Sequence, residues 1–257
     1  MSILILNGKT SRTKPNQDLL INKHDRFEPP IINGQMPTGI AINGLYRLPV
    51  LNGCVLNLPL YHPILSASPF KSLDAYAHVC TVTGATWGSQ GRIFDGTDDV
   101  INCGSAATLD ALTGNMTVEA WINPTTYGEV DYGAVFSKET IRLNVRPTER
   151  ASFSIWVGAT EKAATTATGA VPLGAWTNLV TVFNGSNVLI YANLVLVTGS
   201  ATAGPIDDHS ANNFLIGDTV ASNKCFNGLI GEVRIYNRAL TALEIQQNYL
   251  ATKWRYV

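Results

Sequence analysis

From residue 74 onward the chain is a succession of short segments in which apolar residues alternate with polar or small ones. MTVEAWINP (116–124), IRLNVRP (141–147), ASFSIWVG (151–158), WTNLVTVFNG (176–185), NVLIYANLVLV (187–197), NFLIGD (213–218) and LIGEVRIYNR (229–238) all follow this pattern. A period of two turns one side of each segment inward and the other outward, and each is bounded by Gly, Pro, Asn or Asp, as strands joined by turns require. So many half-buried strands bury their apolar sides by packing two sheets over a common core. The expectation is therefore an all-β sandwich. The 257 residues fit one large all-β domain or a domain of about 150–200 residues with an appendage.

Local signals refine the picture. In FNGSNVLIYAN, Asn184-Gly185 supplies the positive φ values of a tight turn, so this stretch reads as a hairpin. One helix is expected, at TALEIQQNYLATK, where Thr241 and Glu244 form a capping box and Leu243, Ile245, Tyr249 and Leu250 can dock on the sandwich. Trp121 and Trp176 sit at inward positions of the alternation and read as core, although aromatic side chains also stack on sugars. Phe94, Phe226 and Ile230 read as core as well.

These segments carry a family resemblance. WGSQGRIFDGTDDVINCG, MTVEAWINP, GAWTNLVTVFNGSNVLIYANLVLV and FNGLIGEVRIYNRALTALEI follow in order the signature of the laminin G-like, concanavalin A-like lectin/glucanase superfamily, over about residues 54 to 252. The resemblance implies a concanavalin A-like jelly-roll β-sandwich of two antiparallel sheets, residues 54–257, preceded by an extended N-terminal arm, residues 1–53, and closed by the short C-terminal helix. The strand pattern reaches the sandwich independently.

Glucanases of this superfamily carry a Glu-x-Asp-x-(x)-Glu cluster on one strand, which points nucleophile and general acid into the same cleft. The nearest fragment is Glu129-Val130-Asp131, followed by Gly133 and Ala134 where a second glutamate would stand. No GxSxG, HExxH or P-loop occurs, and His24, His62, His78 and His209 are scattered, so a non-enzyme is expected. Several laminin G-like domains bind calcium, and the matching oxygen donors are Asp74, Asp95, Asp98 and Asp99. Against calcium, the family's Ile-Asp-Glu-Val is here Ile230-Gly231-Glu232-Val233, one carboxylate short, and Asp95 and Asp98 read more simply as turn formers. Sugar binding is the family's commonest non-catalytic role. Tyr127, Tyr132, Asn212 and Asn213 are the loop aromatic and amide candidates for it.

The segment outside the resemblance is unusual. Residues 1–53 contain Pro15, Pro29, Pro30, Pro37 and Pro49 and sticky runs such as ILIL, PPII and GIAI. In IINGQMPTGIAINGLYRLPVLNG, repeated Asn-Gly corners alternate with proline interruptions, which suits an arm laid on a partner better than a second core. Residues 1–73 hold seven Lys/Arg against three Asp/Glu, leaving eleven against sixteen for the remainder, so the arm can dock on an acidic neighbour, including another copy of the chain. With 46% hydrophobic and 14% charged residues, a homo-oligomer with a large buried interface is expected. Dispersed charge with little aromatic interleaving argues against nucleic acid.

MSILILNGKTSRTK places its apolar run ahead of its basic residues, the reverse of a secretory signal, and no apolar run approaches the roughly 20 residues that span a bilayer. No signal peptide and no membrane association are expected. Cys54, Cys80, Cys103 and Cys225 lack CxxC or zinc spacing and read as buried thiols, with a disulfide as the alternative. The form VLNLPLYHPILSASPFKSLDAYAHVC resembles laminin G-like proteins encoded by bacteriophages. That resemblance implies a virion component assembled in the host cytoplasm, such as a head decoration or tail or fibre subunit, joined to other virion proteins through residues 1–53. A carbohydrate-binding or adhesion module recognising a cell-surface glycan is the competing expectation.

Overall fold

The computed structural model describes residues 48–219 and 224–256, together with two short strand pairs nearer the N-terminus. In those pairs β1 (Leu4–Leu6) meets β2 (Lys9–Ser11), and β3 (Ala41–Ile42) meets β4 (Leu45–Tyr46). Each pair brackets an Asn-Gly dipeptide of the sequence, the corner signal expected there. The remaining features expected of the arm lie outside the described residues.

The sandwich follows in chain order. Its strands are β5 (Cys54–Leu58), β6 (Phe70–Lys71), β7 (Val79–Thr83), β8 (Thr86–Gly88), β9 (Gly91–Asp95), β10 (Val100–Asn102) and β11 (Met116–Pro124). Then come β12 (Gly133–Lys138), β13 (Ile141–Arg146), β14 (Arg150–Val157), β15 (Thr160–Thr165), β16 (Thr177–Phe183), β17 (Asn187–Ala192), β18 (Val195–Ala201), β19 (Leu215–Ile216) and β20 (Asn227–Tyr236). Two helices complete it, the single turn α1 (Ala107–Asp110) and α2 (Ala242–Thr252). The first sheet runs β15-β14-β13-β12-β19-β10-β7-β6 and the second β18-β17-β16-β11-β20-β9-β8, with β5 also paired to β20. Every pairing is antiparallel. The expected all-β two-sheet sandwich with a short C-terminal helix is therefore what the chain forms.

Alternation decides which side chains fill the space between the sheets. Ile141, Leu143 and Val145 on β13, Ala151, Phe153 and Ile155 on β14, and Val118, Ala120 and Ile122 on β11 join one continuous core with Phe94, Phe226 and Ile230. Phe94 and Phe226 meet edge to face, their centroids 6.1 Å apart. The two sheets are also tied at one edge, where Ser200 Oγ of β18 accepts from Ala163 N at 3.2 Å and donates to Ala163 O of β15 at 3.3 Å. The hairpin between β16 and β17 is present, but only Gly185 has positive φ; Asn184 instead accepts the Ser186 and Asn187 N–H groups on its side-chain oxygen.

The outer side of the second sheet is covered by α2 and the residues after it. Thr241 and Glu244 make the expected capping box. Ile245 is buried and Tyr249 stacks on Trp121 with ring centroids 5.5 Å apart, Leu250 is half-buried, and Leu243 is 77% exposed and does not dock. The inward positions assigned to Trp121 and Trp176 are corrected: Trp121 is 1% exposed and Trp176 half-buried, yet Trp121 lies with Glu119 on the outer side, and both belong to a cluster with Tyr61, Tyr256 and Tyr249 that is separate from the main core. Trp121 Nε1 donates to Thr252 Oγ1 on the helix at 2.8 Å. Beneath α2, Arg234 Nη2 donates to Glu232 Oε2 at 2.7 Å, and Glu119 Oε2 lies 3.6 Å from Arg234 Nη1 and accepts from Asn248 Nδ2 at 2.9 Å. Burial pushes the Glu232 carboxyl up, Arg234 opposes it, and the neighbouring Glu119 adds to the rise.

Gly231, the position where the family's aspartate is missing, has a structural cause. It is the extra residue of a bulge between β11 and β20, and a Cβ there would lie 2.5 Å from the Tyr256 ring. The segment entering the sandwich is fixed on this side too: Val50 N donates to Asn248 Oδ1 at 2.7 Å, and Gln247 Nε2 donates to Leu48 O at 2.8 Å. All four cysteines are free; Cys80, Cys103 and Cys225 are buried and Cys54 is half-buried. No helix among the described residues is long and apolar enough to cross a membrane.

Candidate functional site

Among the described residues, no helix lies over β13, β14 and β15 on the outer side of the first sheet. Pairing places Arg142 opposite Ser154, Asn144 opposite Ser152, and Trp156 opposite Glu161. Because the core takes the alternate residues, these all project outward. Small side chains in the middle, Ser152, Ser154 and Asn144, form a floor, and longer ones rise around it. The result is an open groove of about 270 Å³ walled by Tyr132, Arg142, Arg146, Trp156, Glu161 and Lys224. Its size is near the lower end of the roughly 300–1,000 Å³ usual for small-molecule pockets, which suits one or two units of a longer ligand.

The walls are held in position. The Arg142 guanidinium lies 4.9 Å from the Trp156 ring centroid and the Arg146 guanidinium 4.7 Å from that of Tyr132, with Lys224 Nζ 5.4 Å from the same Tyr132 centroid. Arg146 Nη2 also donates to the Tyr132 hydroxyl. Trp156 is anchored through its backbone, which donates to Thr140 O at 3.0 Å and accepts from Asp207 N at 2.8 Å. Tyr132 ends a tight loop that begins at Gly128, whose φ is +83° and where a Cβ would lie 2.4 Å from Gly133 Cα. Only glycine permits that crossing. The same crossing ties in the Lys224 segment, since Glu129 N donates to Cys225 O at 3.1 Å and Ala134 N to Lys224 O at 2.8 Å.

Within the groove, Ser152 Oγ and Thr165 Oγ1 share a hydrogen bond of 3.0 Å. Arg142 Nε and Asn144 Oδ1 are buried without a hydrogen-bond partner among the described residues, and Asn144 as a whole is 5% exposed. Three cations against one carboxylate give the lining a net charge of two positive units, in a chain whose formal net charge is −1.

Of the four sugar-binding candidates read from the sequence, the structure brings only Tyr132 to this groove. Tyr127 packs against the main core on the far side of Gly128. Asn212 lies at the opposite end of β12 from Tyr132: its carbonyl accepts from Lys138 Nζ, the last residue of that strand, and from Ser105 Oγ at 3.1 Å. Asn213 is exposed beside it. The sequence reading missed Arg142, Asn144, Arg146, Ser152, Ser154, Trp156 and Lys224. The signal for most of them was present in IRLNVRP and ASFSIWVG, whose polar alternates are the outward row.

The metal candidates also regroup. Asp95, Asp98 and Asp99 have carboxylate oxygens within 4.8 Å of one another, and Asp74 is not among them. Asp74 instead accepts from Asn57 N at 3.0 Å and Tyr76 N at 2.9 Å. In the triplet, Asp95 Oδ1 accepts from Thr97 N at 2.8 Å and Asp99 Oδ2 from Asp95 N at 2.7 Å, which is the turn-forming role weighed for Asp95. Three carboxylates partly committed to a turn fall short, by themselves, of the six to eight oxygens that calcium takes. Glu129-Val130-Asp131 lies in a single 3-10 turn rather than on a strand.

A two-sheet antiparallel sandwich with one covered and one open outer side defines a lectin-like class of β-protein. A family model described as the concanavalin A-like lectin/glucanases superfamily matches residues 95–246, and the chain belongs to that superfamily. No curated protein matches the sequence. Among solved structures, a Trypanosoma rangeli sialidase in complex with sialic acid is similar at a TM-score of 0.62 and 17% identity, over 85% of this chain and 36% of that one. The botulinum neurotoxin serotype D binding domain gives 0.60 and 13%, over 79% of this chain and 52% of that one. A botulinum neurotoxin DC binding domain in complex with SialylT gives 0.57 and 11%, over 80% and 52%. This chain thus spans about a third of the sialidase and half of the toxin domains, and at these identities the likeness is one of fold.

Proposed function

We propose that the chain is a non-catalytic glycan-binding module whose site is the groove on the outer side of β13, β14 and β15. The observation that carries this reading is the make-up of the groove: an amide and two hydroxyls on the floor, and two aromatic rings with their cations on the walls. Sugar hydroxyls are recognised by such donors and acceptors, and the rigid rings hold them in register. The superfamily's lectin character supports the reading. So do the solved relatives, two of which are described in complex with sialic acid and with SialylT.

Glycoside hydrolysis by the usual route needs two carboxyl groups across the scissile bond. Among the described residues Glu161 is the groove's single carboxylate, and Glu119 and Glu232 are sealed beneath α2. A virion role draws its support from the sequence of the arm, whereas the fold and the groove favour glycan binding. The test is a glycan array probed with the full chain and with Ser154→Tyr, which fills the floor. Array binding that disappears in the variant, with its melting temperature unchanged, is the expected result. A blank array, or binding indifferent to the variant, overturns the proposal.

A further inference from the structure

Charge is distributed unevenly along the groove. Arg142 and Arg146 are four residues apart on β13, about 14 Å at roughly 3.4 Å per residue, so they mark its two ends. At the Trp156 end, the lining holds one cation, Arg142, and the groove's one carboxylate, Glu161, the residue paired with Trp156. At the Tyr132 end, Arg146 and Lys224 both lie against one ring, and neither makes an ion pair with any described residue. Two uncompensated cations on one aromatic platform cost electrostatic energy unless an anion joins them. Elsewhere Lys138 pairs with Asp110, Arg234 with Glu232 and Arg238 with Glu244, while buried Arg92 is satisfied by the carbonyls of Ala85, Leu65 and Ala67.

Resting on the glycan-binding reading above, we infer that the groove is selective for an anionic glycan and binds it in one direction. The acidic sugar sits at the Tyr132 end between Arg146 and Lys224. The adjoining neutral sugar lies over Ser152, Ser154 and Asn144 towards Trp156. Arginine's planar fork accepts a carboxylate or a sulfate in two parallel hydrogen bonds, and the lysine adds a mobile point charge. At the Trp156 end, Glu161 and the Ser154 hydroxyl line the groove with Arg142, and a sugar hydroxyl meets them with no charge required on the ligand.

The experiment is isothermal titration of the full chain with four probes that share one neutral disaccharide: lactose, sialyl-lactose, the sialyl-lactose methyl ester and sulfated lactose. Sialyl-lactose or sulfated lactose is expected to bind at least about tenfold more tightly than lactose and the ester, equivalent to about 1.4 kcal/mol. The two anionic arms distinguish carboxylate from sulfate. Lys224→Gln and Arg146→Gln should each remove most of that preference, weakening the acidic probes by a larger factor than lactose. Arg142→Gln should weaken acidic and neutral probes by the same factor. The preference should shrink as salt rises from 50 to 500 mM.

Equal affinity for acidic and neutral probes, abolished by Ser154→Tyr, would overturn the anion assignment and leave the glycan reading standing. No binding to any probe here and a blank array would remove the glycan reading itself. Selectivity that survives both Lys224→Gln and Arg146→Gln would place the anion elsewhere and also overturn the assignment.

Discussion

The two outer sides of the sandwich start from the same strand chemistry and end differently. On the second sheet, Glu119, Glu232 and Arg234 project outward from β11 and β20, and α2 closes over them with Asn248, Thr252 and the Trp121–Tyr256 stack, whose centroids are 4.6 Å apart. On the first sheet, Arg142, Asn144 and Arg146 project outward from β13 into the groove, and no helix of the described residues lies over them. Polar atoms without partners occur on both, Glu232 Oε1 and Tyr256 Oη under the helix and Arg142 Nε and Asn144 Oδ1 in the groove. What separates the two sides is charge balance and access. The covered side pairs the buried Arg234 with carboxylates, while Lys253 and Arg255 after α2 lie against the rings of Tyr249, Tyr61 and Trp254. The open side keeps cations on aromatic platforms, where they remain available to a ligand.

That comparison can be broken most sharply on the covered side. Arg234→Met strands Glu119 and Glu232 in a buried site, and removing one partner of such a group typically costs about 3–5 kcal/mol. Chemical denaturation should show a loss of that order, with glycan affinity of the remaining folded protein unchanged; a loss under about 1 kcal/mol would show that the cluster is not held by its charges. On the open side the expectation reverses. Trp156→Ala removes the platform beneath Arg142 and should weaken glycan binding about tenfold or more, with a smaller stability change than Arg234→Met produces.

A third substitution probes the seam between sheet and helix. Gly231→Ala forces its new methyl against Tyr256, and the displaced ring should cost about 1–3 kcal/mol, measured by the shift in denaturation midpoint. The smallest effect is expected at Glu244, whose carboxyl is held down to about 2 by the Arg238 hydrogen bond, against burial, with help from Thr241. A depressed pKa stabilises above the unfolded value near 4.5 and is lost as pH falls towards 2. The pair is part-buried at the surface, both side chains 27% exposed, and solvent screening limits Glu244→Gln to about 1 kcal/mol at neutral pH. The difference from the parent protein should fade between pH 4.5 and 2 in paired thermal melts.

The contrast between the two sides also explains what the sequence could reveal. The sandwich, the Asn184-Gly185 hairpin and the Thr241–Glu244 capping box were legible because alternation, turn residues and capping pairs are local chemistry. Trp121 was placed on the wrong side because alternation says that a residue belongs to one face or the other, not which face meets the second sheet. A helix laid over the outer side makes β11 and β16 buried throughout and hides the distinction. The groove was missed for the converse reason. Arg142, Asn144 and Arg146, like Ser152, Ser154 and Trp156, stood as the polar alternates of correctly read strands, but their meeting depends on register across three strands. Tyr132 was found as a loop aromatic; its partner Lys224 arrives from 92 positions away through the Gly128–Gly133 crossing.

The claim that the open side is the binding side is tested most directly by mapping backbone amide shifts while sialyl-lactose is titrated into isotope-labelled full-length protein. The account predicts perturbations concentrated at Arg142, Asn144, Arg146, Ser152, Ser154, Trp156 and Lys224, with Trp121, Asn248 and the rest of the α2 side unmoved. Perturbations centred on α2 or on the Asp95–Asp99 turn, with the groove silent, would contradict it.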